Sequence, residues 1–141
     1  MKIPVVLSIC GKQSYADQEP EAIELVTDGT LEELITGCWE IRYDESALTG
    51  MEGVTTTFIV EPGKIVLNRS GKLNSQMVFQ ENVSHDSLYQ MEFGALMLTV
   101  TARSINHTLS QQGGVVDLSY SIEIEKATAG TIDYHLEIQP K

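Results

Sequence analysis

Positive charge is scarce in this sequence. Its 141 residues contain nine lysines and arginines but twenty aspartates and glutamates, which gives a formal net charge of −11. Such a chain is repelled by a phosphate backbone and by an anionic lipid surface, so nucleic acids and membranes are unfavourable partners. The acidic residues concentrate in the first half of the chain, where they are typical of a solvated face. No Asp-x-Asp-x-Asp-Gly loop supports a calcium site.

Long apolar runs are absent as well. The run Ile3–Cys10 falls far short of the roughly 20 residues that a membrane span needs, and no Ala-x-Ala cleavage site follows it. Its larger apolar residues recur at every second position, which predicts a strand rather than a signal peptide.

Only two cysteines are present, Cys10 and Cys38. Two are too few for the disulfide framework of a small secreted domain, and they can pair only if their strands are adjacent. The favoured interpretation is a pair of free, partly buried thiols in a reducing compartment. The sequence therefore predicts a cytoplasmic protein.

Residue patterns that carry chemistry are sparse. The three histidines, His85, His107 and His135, lie on separate predicted elements and do not form the close-spaced ligand pair typical of zinc sites. The sequence has no Gly-x-Ser-x-Gly nucleophile elbow and no glycine-rich phosphate loop that opens a helix. We therefore expect no metal, no cofactor and no enzymatic activity.

Alternation of apolar and polar residues dominates the chain, and long helical periodicity is absent. Val116–Ile124 gives the cleanest alternation, and Pro62–Gly63 is a strong turn signal. Turns are also predicted at Asp28–Gly29 and at Ala129–Gly130. Residues 30–37 contain a formal capping box, but the segment is too short for a stable helix without tertiary support, so a strand is favoured there.

These features predict one all-β domain over residues 1–141, built from about nine short strands. A single antiparallel up-and-down barrel of about eight to ten strands is the simplest arrangement, because closure removes exposed strand edges. A sandwich of two sheets is the alternative. A barrel of this size either encloses one small ligand or is filled by its own side chains.

Several segments, in order and with similar spacing, resemble the YwiB-like family of small, uncharacterised proteins from Firmicutes. They are Trp39–Ser46, Thr49–Thr57, Ile65–Gly71, Asn74–Phe79, Phe93–Leu96 and Asp117–Tyr120. The resemblance extends over residues 3–138 and implies a calycin-like, that is lipocalin-like, β-barrel. The family has no established catalytic residues, so the resemblance assigns none to this chain.

Polar side chains that share a face with apolar ones are the sharpest functional signal. Arg69 has the parity of Ile65 and Leu67, and Tyr43 and Tyr120 likewise continue apolar series. If these faces point inward, Arg69 anchors a ligand carboxylate or another anion. The two tyrosines then donate hydrogen bonds beside apolar walls.

Two further features complete this predicted site. Tyr134 lies between apolar residues of the same parity and is a third candidate tyrosine. The loop that contains Thr49, Gly50 and Gly53 is predicted to form a rim or lid, because its glycines permit positive φ and movement.

Two other interpretations of Arg69 stay open at this point. Arg69 can end its strand and reach water while the tyrosines cap the core with their hydroxyls outside. Alternatively, an internal carboxylate such as Glu45 can pair with Arg69 and give it a structural role.

The sequence thus predicts a non-enzymatic binding protein for a small, partly apolar, anionic ligand. The alternative is a filled barrel that acts as a protein-interaction module through a homodimer. A cavity larger than about 300 Å³ favours the first hypothesis, and a solidly packed interior favours the second.

Overall fold

The computed structural model describes residues 2–15, 21–46, 52–72, 74–91 and 94–141. Within these ranges the chain forms ten β-strands and no helix. They are β1 (Ile3–Tyr15), β2 (Glu21–Ile35), β3 (Cys38–Asp44), β4 (Val54–Glu61), β5 (Lys64–Gly71), β6 (Ser75–Gln80), β7 (Ser84–Met91), β8 (Gly94–His107), β9 (Gly114–Ile124) and β10 (Ala127–Pro140).

All neighbouring strands pair antiparallel, in the order β6-β5-β4-β3-β2-β1-β10-β9-β8-β7. Strands that are consecutive in sequence are therefore paired, except β6 and β7, which form the two edges of the sheet, and β1 pairs with β10. This is an up-and-down arrangement curled into a nearly closed barrel. The predicted all-β barrel is confirmed, and the sandwich alternative is wrong.

The barrel closes where β6 meets β7 and β8. The Ser87 hydroxyl on β7 donates a hydrogen bond to the backbone carbonyl of Gln76 on β6. In the turn between β6 and β7, the backbone amide of Asn82 donates to the backbone carbonyl of Ala102 on β8 at 2.9 Å. The Glu81 carboxylate accepts from the amide of Ile105 at 3.0 Å. Side chains thus supply part of the hydrogen bonding that a regular strand ladder supplies elsewhere in the barrel.

The alternation of the sequence separates the interior of the barrel from its outer surface. Along β4, every second side chain from Val54 to Val60 is buried, and the residues between them are partly exposed. At one end the interior is filled by closely packed apolar side chains, among them Trp39, Val60, Ile65, Phe79, Ile105 and Val116. Pairing of the strands places the polar residues of the predicted site toward the other end.

Two predicted turns are wrong, for different physical reasons. Asp28–Gly29 lies inside β2, which continues to Ile35, so the strand predicted over residues 30–37 is present up to that residue, and residues 36–37 form a turn. A Cβ atom on Gly29 would lie 2.6 Å from the Arg42 carbonyl oxygen, so glycine here permits close strand approach rather than a turn. Ala129–Gly130 lies at a bulge in β10, and the preceding turn is made by Glu125 and Lys126, both with positive φ.

The two cysteines do not form a disulfide. Cys10 lies on β1 and Cys38 on β3, and β2 separates these strands. Cys38 is buried and Cys10 is partly exposed, as predicted for two free thiols.

Among the described residues there is no helix with the length and apolar character needed to cross a membrane.

Candidate functional site

The interior of the barrel contains a cavity of about 430 Å³. Most of its walls are apolar, and a small group of polar side chains reaches into it. The lining residues are Ile9, Gly11, Gln13, Ile23, Leu25, Tyr43, Glu45, Arg69, Met77, Leu98, Tyr120, Ile122, Ile132 and Tyr134. Apolar walls with a few convergent polar groups are typical of small-molecule sites.

Two aromatic contacts connect this cavity with the packed end of the barrel. The ring of Phe58 lies 6.1 Å from that of Tyr134, and the ring of Phe79 lies 4.5 Å from that of Tyr120, measured between centroids. Both phenylalanines are fully buried, whereas both tyrosines line the cavity. Such tilted pairs stabilise the packing beyond the area they bury and hold the tyrosine rings in place.

Strand register brings the polar groups together. Tyr43 on β3 lies directly opposite Thr56 on β4, and Thr56 lies opposite Arg69 on β5. Arg69 in turn lies opposite Ser75 on β6. Side chains at directly opposed positions point to the same face, so this row of four residues is turned into the barrel. The parity argument for Arg69 is therefore correct.

Glu45 is the acidic member of the site and is buried, with 7% of its surface exposed. It follows β3 with the parity of Tyr43, and its amide donates to the Val54 carbonyl at 2.8 Å. Its carboxylate accepts hydrogen bonds from the hydroxyls of Thr56 and Tyr43. A buried carboxylate needs such donors because it has lost its hydration.

Burial raises the pKa of the Tyr43 and Tyr134 phenols above their ordinary value. The negative charge of Glu45 raises both further, whereas the positive charge of Arg69 acts in the opposite direction on each. Both phenols therefore stay protonated at neutral pH and act as hydrogen-bond donors. One cation and one carboxylate thus act on the same two tyrosines.

Two buried polar atoms make no hydrogen bond within the described part of the chain at this site. They are Nε of Arg69 and the hydroxyl oxygen of Ser75. Buried donors are usually satisfied, and an unsatisfied one costs about 1–3 kcal/mol. An acceptor bound beside Arg69 would remove this cost.

Residues 7–138 match the family described as a domain of unknown function, DUF1934. The chain belongs to this family. It is also similar to the ywiB protein from Bacillus subtilis, whose crystal structure aligns with a TM-score of 0.81 at 23% sequence identity. That alignment covers 96% of this chain and 92% of the other. It shows a shared fold, and the resemblance to the YwiB-like family is confirmed.

No curated protein matches the chain significantly. The family description and the solved structure therefore leave the function of this DUF1934 chain unassigned, and its cavity has to be interpreted from its own residues.

The structure brings some of the predicted site residues together and leaves others apart. Arg69, Tyr43 and Tyr120 line the cavity, as does the third candidate, Tyr134. Gly53 has a positive φ of 90°, but it is exposed beside the Lys72 side chain and does not line the cavity. The other two loop residues, Thr49 and Gly50, lie outside the described residues, so the rim or lid stays a prediction.

Sequence reasoning missed Gly11, Gln13 and Ile23 as lining residues. Gly11 and Gln13 continue the inward parity of Ile9 along β1, so the signal was present in the alternation itself. Gly11 lies beside Tyr134 in the cavity wall, where a Cβ atom would be at an ordinary contact distance of 3.7 Å from the tyrosine ring.

Within the described residues, no group of three or more His, Cys, Asp or Glu side chains is arranged to hold a metal ion. On the outer surface of the barrel, His135 contacts the carboxylates of Asp117 and Glu137. Both ring nitrogens are thereby engaged, and the two carboxylates raise the pKa of the imidazole. All three side chains are exposed to solvent, and they form an ion-pair network when His135 is protonated.

Proposed function

We propose that this DUF1934 protein is a non-enzymatic binding protein that holds a small, partly apolar, anionic ligand inside its barrel. The observation that carries the proposal is the position of Arg69. Its buried Nε makes no hydrogen bond within the described chain, and its side chain lines an apolar-walled cavity of about 430 Å³.

The hydrogen-bonding inventory supports an acceptor as ligand. A guanidinium carries five N–H donors and no acceptor, and the protonated Tyr134 phenol adds another donor at the cavity. Glu45 already accepts from Thr56 and Tyr43, so these three groups largely satisfy one another. A carboxylate or similar anion complements the remaining donors, and the apolar walls accommodate the rest of the ligand.

Binding fits the side chains better than catalysis does. A general acid or base works best when its pKa lies near the operating pH. Burial raises the pKa values of Tyr43 and Tyr134 and moves them further from that range. The Glu45 carboxylate is held in place by hydrogen bonds from the Thr56 and Tyr43 hydroxyls.

The size of the cavity also supports this proposal over a filled barrel that acts only as an interaction module. Its volume exceeds the roughly 300 Å³ at the lower end of small-molecule sites. Phe58, Phe79 and Leu118 do pack the interior, but Met77 and Leu98 line the cavity instead of filling it.

A reducing compartment is part of the same proposal. The two cysteines support it: they lie on β1 and β3, which β2 separates, and both are free thiols. We accordingly propose that the protein acts in the cytoplasm.

Native mass spectrometry of the protein purified from its own host tests the proposal. We expect a retained small anion on the wild-type barrel and its loss in Arg69→Met. Arg103→Met is the matched control, because Arg103 is exposed and its salt bridge with Asp133, at 3.5 Å, lies on the outer surface. Ligand-free wild-type protein, or a ligand kept equally by Arg69→Met, would contradict the proposal.

A further inference from the structure

One stretch of β2 is paired along only one side. β2 pairs with β1 from Glu21 to Leu31, but its register with β3 begins only at Thr30. Among the described residues, no strand pairs with the other side of residues 21–27. We call this stretch the β2 edge. Unpaired N–H and C=O groups along such an edge are a template for an added strand.

The β2 edge borders the cavity. Ile23 and Leu25 have inward parity and line the cavity, and Ile23 is 53% exposed even though it is large and apolar. Val26, on the outer face of the same stretch, is 69% exposed. The unpaired backbone and the apolar cavity wall are thus parts of one surface.

We propose that the ligand is the carboxyl-terminal end of an extended peptide, which adds as a strand to the β2 edge and inserts its last side chain into the cavity. The peptide's α-carboxylate then meets the guanidinium of Arg69. This inference rests on the proposed function, because it uses the same anion anchor and the same apolar walls.

Three features of the structure match three parts of such a peptide. Backbone groups of the β2 edge bind the peptide backbone whatever its sequence, as in other cases of strand addition. The cavity selects an apolar last side chain, and the unsatisfied Nε of Arg69 selects a free carboxylate over a blocked end.

Charge determines the composition of the preceding peptide residues. Glu21 and Glu24 are exposed on the β2 edge, and the whole chain carries a net charge of −11. Basic residues in the added strand would lie near these carboxylates, and opposite charges on neighbouring strands stabilise their pairing. The same reasoning disfavours a second copy of this chain as occupant, because two such acidic edges would repel each other.

The test uses four probes with purified protein. The first is a short peptide of alternating lysine and valine that ends in phenylalanine with a free carboxylate. The second is its carboxyl-terminal amide, and the third carries N-methyl groups on alternate backbone amides. The fourth is 3-phenylpropionate, a small carboxylate with the same terminal ring but no peptide backbone. Calorimetry measures affinity, and amide hydrogen exchange measures protection over residues 21–27.

We expect the free acid to bind at least about tenfold more tightly than the amide or the N-methylated peptide, a difference of about 1.4 kcal/mol. Exchange over residues 21–27 should slow only with the free acid. Arg69→Met should abolish the preference for the acid over the amide, whereas Arg103→Met should keep it.

The outcomes separate the two proposals. If 3-phenylpropionate binds in an Arg69-dependent way while the peptide binds no better, the peptide inference is wrong and the proposed function stands. Equal binding of the N-methylated peptide would likewise exclude strand addition. If residues 21–27 are protected in a dimer without peptide, a second copy covers the β2 edge and the inference is wrong. If no probe binds and no ligand is retained from the host, both proposals fail.

Discussion

Arg69 on β5 and Ser75 on β6 lie directly opposite each other, and each carries a buried polar atom that makes no hydrogen bond within the described residues. Neighbouring unsatisfied donors are uncommon in a packed interior, because each costs free energy when water is excluded. They indicate that this end of the barrel is arranged for something other than maximal stability of the empty state.

Replacing Arg69 by methionine tests this interpretation in the ligand-free protein. Arg69→Met removes a buried, unsatisfied donor and keeps an apolar side chain of similar length. We expect a free energy of unfolding equal to that of the wild type or higher by about 1 kcal/mol. Urea unfolding followed through the fluorescence of the single tryptophan, buried Trp39, measures it.

The opposite sign would identify a structural ion pair. If Arg69 chiefly neutralises buried Glu45, its removal should lower the free energy of unfolding by about 3–5 kcal/mol. That result would contradict the role of Arg69 as a ligand anchor.

Thr56 and Thr55 form a matched pair of threonines on β4. The hydroxyl of fully buried Thr56 donates to buried Glu45, whereas that of Thr55 donates to exposed Asp44 at 2.9 Å. We expect Thr56→Val to lower the free energy of unfolding by about 1–3 kcal/mol, because it removes a donor from a buried carboxylate. Thr55→Val should change it by less than about 0.5 kcal/mol. Equal losses of stability in the two variants, measured by urea unfolding, would show that the buried hydrogen bond to Glu45 stabilises the fold no more than the exposed one to Asp44.

Replacing glycine by alanine should have opposite effects on stability at positions 29 and 11. A Cβ atom on Gly29 would lie 2.6 Å from the Arg42 carbonyl oxygen and 2.8 Å from a methyl group of Leu7. Gly29→Ala should therefore lower the free energy of unfolding by about 1–3 kcal/mol through overpacking. Gly11→Ala meets only the Tyr134 ring at an ordinary 3.7 Å and should raise it by about 0.4–1 kcal/mol. Thermal unfolding of both variants checks the sign, and stabilisation by Gly29→Ala would contradict the close approach of β3 to β2 at this position.

His135 gives a pH-dependent contribution to stability with a defined sign. The carboxylates of Asp117 and Glu137 raise its pKa in the folded state above the ordinary value near 6.5. Its stabilising contribution is therefore fully present below about pH 6.5 and is lost as the pH rises through the folded pKa. The contribution is small because the side chain is exposed to solvent.

The measurement compares wild type and His135→Gln by urea unfolding between about pH 5.5 and 8.5, a range that begins below the ordinary histidine pKa and extends well above it. The difference between the two proteins should be largest at the acidic end and should shrink toward the alkaline end. A difference that grows with pH would contradict the assignment. Asp117→Asn serves as a second variant and should weaken the same dependence.

The fold was largely predictable because every strand places alternate side chains in the single interior of the barrel, which produces the alternation of apolar and polar residues along the sequence. Trp39, Ile41 and Tyr43 are buried on one face of β3, as their spacing predicts. The errors arose where a local signal competed with tertiary packing. Asp28–Gly29 is a common turn pair, yet pairing with β1 keeps both residues extended inside β2, and β3 approaches Gly29 closely. Only the register of three strands reveals why glycine is needed there.

The sequence predicted part of the cavity lining but not the contacts between the lining residues. Parity placed Arg69, Tyr43 and Tyr120 inside the barrel, which the lining of the cavity agrees with. Parity along one strand does not show which residues of other strands lie opposite, so it left open how Glu45 is satisfied. The hydrogen bonds from Thr56 and Tyr43 to Glu45 depend on the pairing of β3 with β4 and on the path of the chain beyond it.

The cyclic order of the strands has a topological consequence. Because β1 pairs with β10, the two ends of the described chain lie side by side, and the Lys141 amide donates to the Pro4 carbonyl at 3.1 Å. A short linker between them, with new ends cut at the exposed Pro62–Gly63 turn, would keep every neighbour in the barrel. Because the strand neighbours do not depend on where the N-terminus lies, a circular permutant should recover the same fold and the same cavity.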